Sequence, residues 1–124
     1  VVLEFTPDVA RWMRLADFFI GKPGPGSLSE AVQSGLPVIV TRNAWTMPQE
    51  RWNTDWVRQL GVGVVLRSFA QIAPAVQDVC SRLPTLRAAV QGVENRAVFE
   101  VPQILEQILA RHGLAEIPAA RSLT

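Results

Sequence analysis

The segment from Phe18 to Ala31 constrains the fold most, because an apolar run leads into three closely spaced glycines and then an amphipathic stretch. Its letters are FFI, then GKPGPGSLSEA. This order predicts a strand, a tight loop and the first turn of a helix. Glycines let a ligand approach the backbone, and a helix N-terminus offers free N–H groups and a partial positive charge. The segment therefore predicts a site for phosphate or another anion.

Short apolar strands alternate with helices along most of the chain. We predict strands over residues 1–5, 18–21, 36–41 and 62–66, and helices over 7–16, 27–34, 48–60, 68–83, 85–93 and 103–112. This alternation is typical of the α/β class, in which a Rossmann-like parallel sheet is flanked by helices. In such sheets ligands bind beyond the carboxyl ends of the strands. The loops after the second and third predicted strands, residues 22–26 and 42–47, both belong to that edge.

Size and composition narrow the class of protein. A chain of 124 residues that is 48% hydrophobic suits one domain over 1–124, with a core region over 1–66, helices over 67–113 and a tail over 114–124. Twelve basic residues against 11 acidic ones leave no basic face for nucleic acid. No apolar run approaches the ~20 residues of a membrane span. The single cysteine, Cys80, excludes an internal disulfide and suits a cytoplasmic protein in which it is a small buried side chain.

Several local signals predict helix ends and buried faces. Thr6 is the expected N-cap of the first helix, whose apolar spacing predicts burial of Val9, Trp12, Met13 and Ala16. Pro102 is the expected first residue of the last helix, which His112 and Gly113 end.

Two polar clusters belong to the predicted ligand edge, and each has a purely structural alternative. Ser27-Leu28-Ser29-Glu30 spells a capping box, in which Ser27 caps the helix and Glu30 reaches back to the N-cap amide. Glu30 is also placed to accept hydrogen bonds from a ribose diol one turn deeper. Gln49, Glu50 and Asn53 open the next helix and could converge on a polar ligand, although polar residues are common in a first turn.

The same residues resemble the donor-binding half of GT-B glycosyltransferases, in the family 28 group of monogalactosyldiacylglycerol synthase and MurG. The similarity covers about residues 1–66. It lies in the glycine-rich loop with its Ser-x-x-Glu step, in Gly35-Leu36-Pro37-Val38-Ile39, and in Pro48-Gln49-Glu50-Arg51-Trp52-Asn53, which matches a Pro-Gly-Gln-Glu-x-x-Asn signature without its glycine. Three signatures in the right order are more specific than any one of them.

The resemblance implies a role for each matching residue. Gly24, Gly26 and Ser27 would line the diphosphate of a UDP-sugar, and Glu30 would hold the ribose hydroxyls. Gln49 and Glu50 would contact the sugar, while Asn53, counted with the sugar-binding residues, would support that loop or the phosphate side. The donor is a substrate, and no cofactor or metal is expected.

The resemblance also implies what lies outside this chain. His112, the one histidine, belongs to a predicted helix end far along the chain from both loops, so the catalytic base is expected on an acceptor-binding N-terminal domain or partner chain. We therefore expect a fragment of a longer two-domain enzyme, inactive alone, cytoplasmic, and in contact with membranes only through that other domain. Two other functions stay open: a UDP-sugar 2-epimerase, and a non-catalytic interaction subunit that pairs, as a homodimer for example, through an open sheet edge.

Overall fold

The fold is given by a computed structural model that describes residues 2 and 4–111. The chain divides into two compact units after Val93, and each is described by itself. The first unit has helices α1 (Val9–Leu15), α2 (Pro25–Gln33), α3 (Pro48–Leu60), α4 (Ile72–Ser81) and α5 (Leu83–Gln91), with a 3-10 turn at Phe69–Gln71 before α4. Its strands are β1 (Phe19–Gly21), β2 (Val38–Thr41) and β3 (Gly63–Leu66). The single domain expected from the sequence stays a prediction.

The three strands form a parallel sheet in the order β1-β2-β3. Ile39 at the centre of β2 is opposite Ile20 on one side and Val64 on the other. All four residues of β2 are buried, as expected for a strand covered on both faces. The predicted α/β class, a Rossmann-like parallel sheet flanked by helices, is confirmed.

The sheet has a core on each face, because successive residues of a strand point to opposite sides. Val38 and Val40 join one core, and Ile39 joins the other. The first core takes its helical side chains from α1, α2, α3 and α5: Met13, Leu28, Ala31, Val32, Val57 and Val90. The second takes Ala75, Val79 and Leu86 from α4 and α5.

Two glycines supply conformations or space that other residues lack. Gly61 ends α3 with φ 64°, in the left-handed region where glycine carries no steric penalty. Gly63 pairs with Val38 in the ladder, and a Cβ built on it would overlap the Val38 carbonyl oxygen. The close approach of β2 and β3 at this point therefore requires glycine.

The strand predicted over residues 1–5 is not formed at its described positions, Val2, Glu4 and Phe5; residues 1 and 3 lie outside the described residues. Val2 and Phe5 are exposed. A strand needs a hydrogen-bonding neighbour, and in the described residues only β1, β2 and β3 pair with one another. Residues 2, 4 and 5 have no partner strand in this sheet.

Helix α1 starts later and buries less than predicted. Asp8, instead of Thr6, is the N-cap, and its side chain accepts from the Arg11 amide at 3.2 Å. Met13 is buried in the first core, whereas Val9 and Trp12 are each 43% exposed. The other described residues thus cover only part of the apolar face of α1.

Cys80 is exposed, contrary to its predicted burial. Helix α4 buries Ala75 and Val79, which are four residues apart on one face. Because successive helical residues are turned by about 100°, Cys80 points away from that face.

The second unit contains helix α6 (Ala97–Arg111), which begins before its predicted start. Pro102 lies inside the helix instead of opening it. The start is supplied upstream, where the Asn95 side chain accepts from the Ala97 amide at 3.1 Å. His112, Gly113 and the predicted tail lie outside the described residues.

None of the helices in the described part of the chain combines the length and the apolar composition that crossing a membrane would take.

Candidate functional site

The loops that follow β1 and β2 lie side by side at the carboxyl edge of the sheet, because these two strands are parallel neighbours. A hydrogen bond joins the two regions directly: Asn53 of α3 donates through Nδ2 to the Pro23 carbonyl at 2.8 Å. The structure thus brings the glycine-rich loop together with the helix that carries Gln49 and Glu50.

Helix α2 begins without a capping side chain. Its N-cap is Gly24, in an extended conformation with φ −66° and ψ 142°, and Pro25 is the first helical residue. Ser27 is therefore in the third helical position, so the capping box with Ser27 as N-cap and Glu30 as its partner is not formed. Proline has a backbone already suited to the first position, which explains why the N-cap is Gly24, three residues before the predicted cap at Ser27.

The first turn of α2 presents free backbone amides. The Leu28 amide donates to the Gly24 carbonyl at 3.1 Å, the first intrahelical bond of α2. Pro25 has no N–H group. Gly26 and Ser27, which precede Leu28 in the first turn, each have a backbone amide. Within the described residues neither of these two amides donates to a backbone carbonyl. These two groups and the positive end of the helix dipole face the same space.

The space beside this turn is open. A Cβ placed on Gly24 or Gly26 would meet no atom within 4 Å, and the Ser27 side chain is exposed. A ligand could therefore reach the backbone without moving any of the described side chains.

Glu30 lines a cavity of about 310 Å³ between α1 and α2. The other lining residues are Ala10, Arg14, Gln33 and Ser34. Gly24, Gly26 and Ser27 do not line it, although Gly26 lies one helical turn before Glu30. The sequence analysis did not identify Arg14 as a lining residue, because the local pattern of α1 does not indicate which helix Arg14 faces.

Gln49, Glu50 and Asn53 lie in the first two turns of α3, but their side chains are placed differently. Gln49 is exposed, and its Nε2 donates to the Met47 sulfur at 3.5 Å. Glu50 is half-buried in the first turn, where a carboxylate is favoured by the helix dipole. Asn53 is turned toward the glycine-rich loop. A sugar contact by any of the three stays a prediction.

The loop from Arg42 to Met47 is held by its own hydrogen bonds. The Asn43 amide donates to Thr46 Oγ1 at 2.9 Å, and the Asn43 side chain accepts from the Trp45 amide at 2.9 Å. Arg51 of α3 donates through Nε to the Thr46 carbonyl at 3.2 Å. The loop is thus fixed against the helix that follows it, while Trp45 stays exposed.

An ion pair behind this loop was missed by the sequence analysis. Arg42, directly after β2, pairs with Asp55 of α3, and its Nη1 donates to Thr54 Oγ1 at 3.4 Å. Thr54 is fully buried and donates to the Arg51 carbonyl at 2.7 Å. The only available signal was the opposite charge of Arg42 and Asp55, which many other pairs in the chain share.

The described residues include no group of three or more His, Cys, Asp or Glu side chains close enough together to hold a metal ion.

Comparison with known proteins identifies homologues among enzymes of glycolipid synthesis. Monogalactosyldiacylglycerol synthase 3 of Arabidopsis thaliana is 38% identical over 77 residues, which are 62% of this chain and 16% of the plant protein. The chloroplastic monogalactosyldiacylglycerol synthase of Spinacia oleracea is 36% identical over 113 residues, 87% of this chain and 21% of that protein. The processive diacylglycerol beta-glucosyltransferase of Bacillus subtilis (strain 168) is 27% identical over 110 residues, 87% of this chain and 28% of that protein.

These relatives are several times longer than the chain, which spans 16% to 28% of the three lengths. No family model matches the chain, and no solved structure matches it. The homologues nevertheless belong to the family that the three signatures resemble, and the structure has the parallel α/β sheet expected of it. The chain therefore belongs to family 28 of the glycosyltransferases, the family of the monogalactosyldiacylglycerol synthases, and represents part of their C-terminal GT-B domain.

Proposed function

We propose that this chain binds the UDP-sugar donor of an inverting glycosyltransferase that transfers a hexose or N-acetylhexosamine to a lipid or another hydroxyl acceptor. The names of the relatives support the proposal, since they include a monogalactosyldiacylglycerol synthase and a diacylglycerol beta-glucosyltransferase. Galactose and glucose are accordingly the first sugars to test, and diacylglycerol is the first acceptor.

The first turn of α2 carries the proposal. Its two free amides, at Gly26 and Ser27, are the hydrogen-bond donors that a diphosphate needs. Glycine at positions 24 and 26 leaves room for phosphate oxygens next to the backbone. The Ser27 hydroxyl is exposed and makes no capping bond, so it is free to add a third donor.

Glu30 is the proposed ribose ligand. Glu30 lies one turn beyond Gly26 and lines the cavity between α1 and α2, which is where the proposal puts the nucleoside. A carboxylate can accept hydrogen bonds from both hydroxyls of the ribose diol. In the proposal Gln49 and Glu50, at the start of α3, contact the transferred sugar.

The chemistry that this chain supplies is stabilisation of the leaving group. When the bond between the sugar and the diphosphate breaks, negative charge grows on the phosphate oxygens. Amides fixed at a helix N-terminus, where the dipole is positive, stabilise this charge without further reorganisation. The base that deprotonates the acceptor hydroxyl would come from the N-terminal domain or from a partner chain.

Isothermal titration of the chain with UDP, UDP-galactose and UDP-glucose tests donor binding. We expect saturable binding of UDP and tighter binding of at least one of the two UDP-sugars. A folded sample that takes up none of the three would contradict the proposal.

Substituting Gly26→Ala separates ligand binding from folding. The new methyl group meets no protein atom, and alanine is the better helix former by roughly 0.5–1 kcal/mol, so we expect equal or greater thermal stability. UDP affinity should fall about tenfold or more, because the methyl occupies the space of a phosphate oxygen. Ser29→Ala, an exposed site on the same helix, is the control and should leave affinity unchanged. Unaltered UDP binding by Gly26→Ala would exclude the diphosphate role.

Substituting Glu30→Ala tests the ribose role with two ligands that differ by one hydroxyl. The wild-type chain should bind UDP more tightly than 2′-deoxy-UDP, and Glu30→Ala should lose most of this preference, because the carboxylate that accepts from the diol is gone. Gln33→Ala, which changes another wall of the same cavity, is the matched control and should retain the preference. The same preference in wild type and Glu30→Ala would reject the assignment.

A further inference from the structure

The glycine-rich loop is tied to α3 by one side chain. Asn53 Nδ2 donates to the Pro23 carbonyl at 2.8 Å across 30 residues of sequence. Pro23 is buried, and it directly precedes Gly24, the N-cap of α2. The bond therefore holds the peptide group between Pro23 and Gly24, at the point where α2 begins.

Apart from the burial of Pro23, few hydrogen bonds among the described residues hold the loop. Pro23 lacks an N–H group, as does Pro25, and Gly24 is intrinsically flexible. In the part of the chain that the structure describes, Asn53 provides the one side-chain hydrogen bond to residues 22–24. The Leu28–Gly24 bond belongs to the helix itself and does not fix the helix relative to the sheet.

Asn53 also lies on the helix that carries the residues proposed to contact the sugar. Gln49 is one turn before it on the same side of α3, and Glu50 is three residues before it. Two further contacts hold the first two turns of α3: Arg51 donates to the Thr46 carbonyl, and Asp55 pairs with Arg42. The loop and the start of α3 are thus parts of one hydrogen-bonded assembly.

We propose that Asn53 is a positioning residue for the diphosphate site: it holds the Pro23 carbonyl so that the Gly26 and Ser27 amides point at the diphosphate, and it does not contact the sugar. This inference rests on the proposed function and deepens it. Of the roles that the resemblance implies for Asn53, it keeps support of the phosphate side and excludes a sugar contact, and it makes the geometry of the diphosphate site depend on α3.

The test compares Asn53→Leu with Gln49→Leu, using uridine, UDP and UDP-galactose as ligands. Leucine matches the size of asparagine but cannot donate, so the Pro23 carbonyl loses its partner. For Asn53→Leu we expect UDP affinity to fall about tenfold, uridine affinity to stay unchanged, and the ratio of UDP-galactose to UDP affinity to stay unchanged. For Gln49→Leu we expect unchanged UDP affinity and a lower ratio of UDP-galactose to UDP affinity.

Each alternative gives a different pattern. A sugar contact by Asn53 would lower the ratio of UDP-galactose to UDP affinity and leave UDP binding intact, which would overturn the inference. A general loss of structure would lower uridine and UDP affinity alike and would overturn it too. Absence of UDP binding by the wild-type chain would overturn the proposed function itself, whereas normal UDP binding by Asn53→Leu would overturn only the inference.

Amide hydrogen exchange gives a readout that needs no ligand. In the unliganded Asn53→Leu chain the Leu28 amide, which donates to the Gly24 carbonyl, should exchange faster, while the amides of β2 keep their protection. If Asn53→Leu does not unfold cooperatively, Asn53→Gln replaces it, since the extra methylene displaces the carboxamide from Pro23. Unchanged exchange at the Leu28 amide in a folded variant would overturn the inference.

Discussion

Gly63 shows how one residue can determine the packing of a sheet. It lies opposite Val38, where even a methyl group would overlap the Val38 carbonyl oxygen and approach the Val38 Cγ2 atom to 2.8 Å. Its backbone is not in the left-handed region, so the requirement is one of space and not of conformation. The strands must separate locally to admit any other residue.

We expect Gly63→Ala to lower the free energy of unfolding by about 3 kcal/mol or more, because the overlap is with backbone, which cannot rotate away. Urea denaturation measures the change. Gly24→Ala is the matched control: it has open space around its Cβ and should change stability by less than about 1 kcal/mol. Equal stability of the two variants would show that the strands do not approach as closely as described.

At the scale of residues, the sequence predicts which side chains share a face of a helix better than it predicts which of them are buried. The pattern correctly placed Met13 in a core, but it also predicted burial of Val9, Trp12 and Cys80, which are exposed. A periodic pattern shows which side chains can share a face, and it does not show how much of that face another element covers. The Asn53–Pro23 bond is likewise absent from any local pattern, because its partners are 30 residues apart.

At the scale of elements, an exposed charged pair lies at the junction of α4 and α5. Arg82 lies between the two helices and donates through Nε to Asp78 Oδ1 at 2.9 Å, while its Nη2 contacts Oδ2. This hydrogen bond lowers the pKa of Asp78 below its usual value. The same contact raises the pKa of Arg82.

The pair should stabilise the fold in a pH-dependent way. Because the pKa of Asp78 is lower in the folded state, its contribution is present above the ordinary carboxyl pKa of about 3.9 and is lost as the pH falls through the lowered value. Asp78→Asn should therefore melt slightly below the wild type at pH 7 and together with it in strong acid. Thermal melts from pH 7 to pH 2 measure the difference, and the exposed Glu106→Gln is the control. A difference that is constant over this range would contradict the prediction.

Elements bounded by strong local signals were predicted well. Helix α3 runs from Pro48 to Leu60 as predicted, since a proline opens it and Gly61 ends it in the left-handed conformation. The start of α6 was wrong, because Pro102 is tolerated inside the helix while Asn95 supplies the hydrogen bond at its start. Proline is a reliable start signal only where no better one precedes it.

At the scale of the whole molecule, both cores lie within the first unit. The buried residues of the two clusters run from Met13 to Val90. The predicted site residues, from Gly24 to Asn53, lie within the same stretch. The α/β class and the placement of the two loops at one edge of the sheet followed from alternation and chain direction alone.

We expect a shortened chain, residues 1–93, to fold and unfold cooperatively, because it keeps every residue of both cores. Circular dichroism during thermal unfolding is the measurement, and its melting temperature should stay within about 5 °C of that of the full chain. A non-cooperative transition would show that residues 94–124 are needed for the fold. A chain cut at residue 81, which loses Leu86 and Val90, is the negative control.

Helix α5 has a consequence for how this molecule comes apart. It places Leu86 in the core on one face of the sheet and Val90, one turn later, in the core on the other. A fluctuation that moves α5 away from the sheet exposes Leu86 and Val90 together. Both cores then lose a buried residue at the same time, so neither is expected to open while the other stays packed. The first unit should accordingly unfold in a single step, and a change in the core on one face of the sheet is transmitted to the core on the other face through one turn of α5.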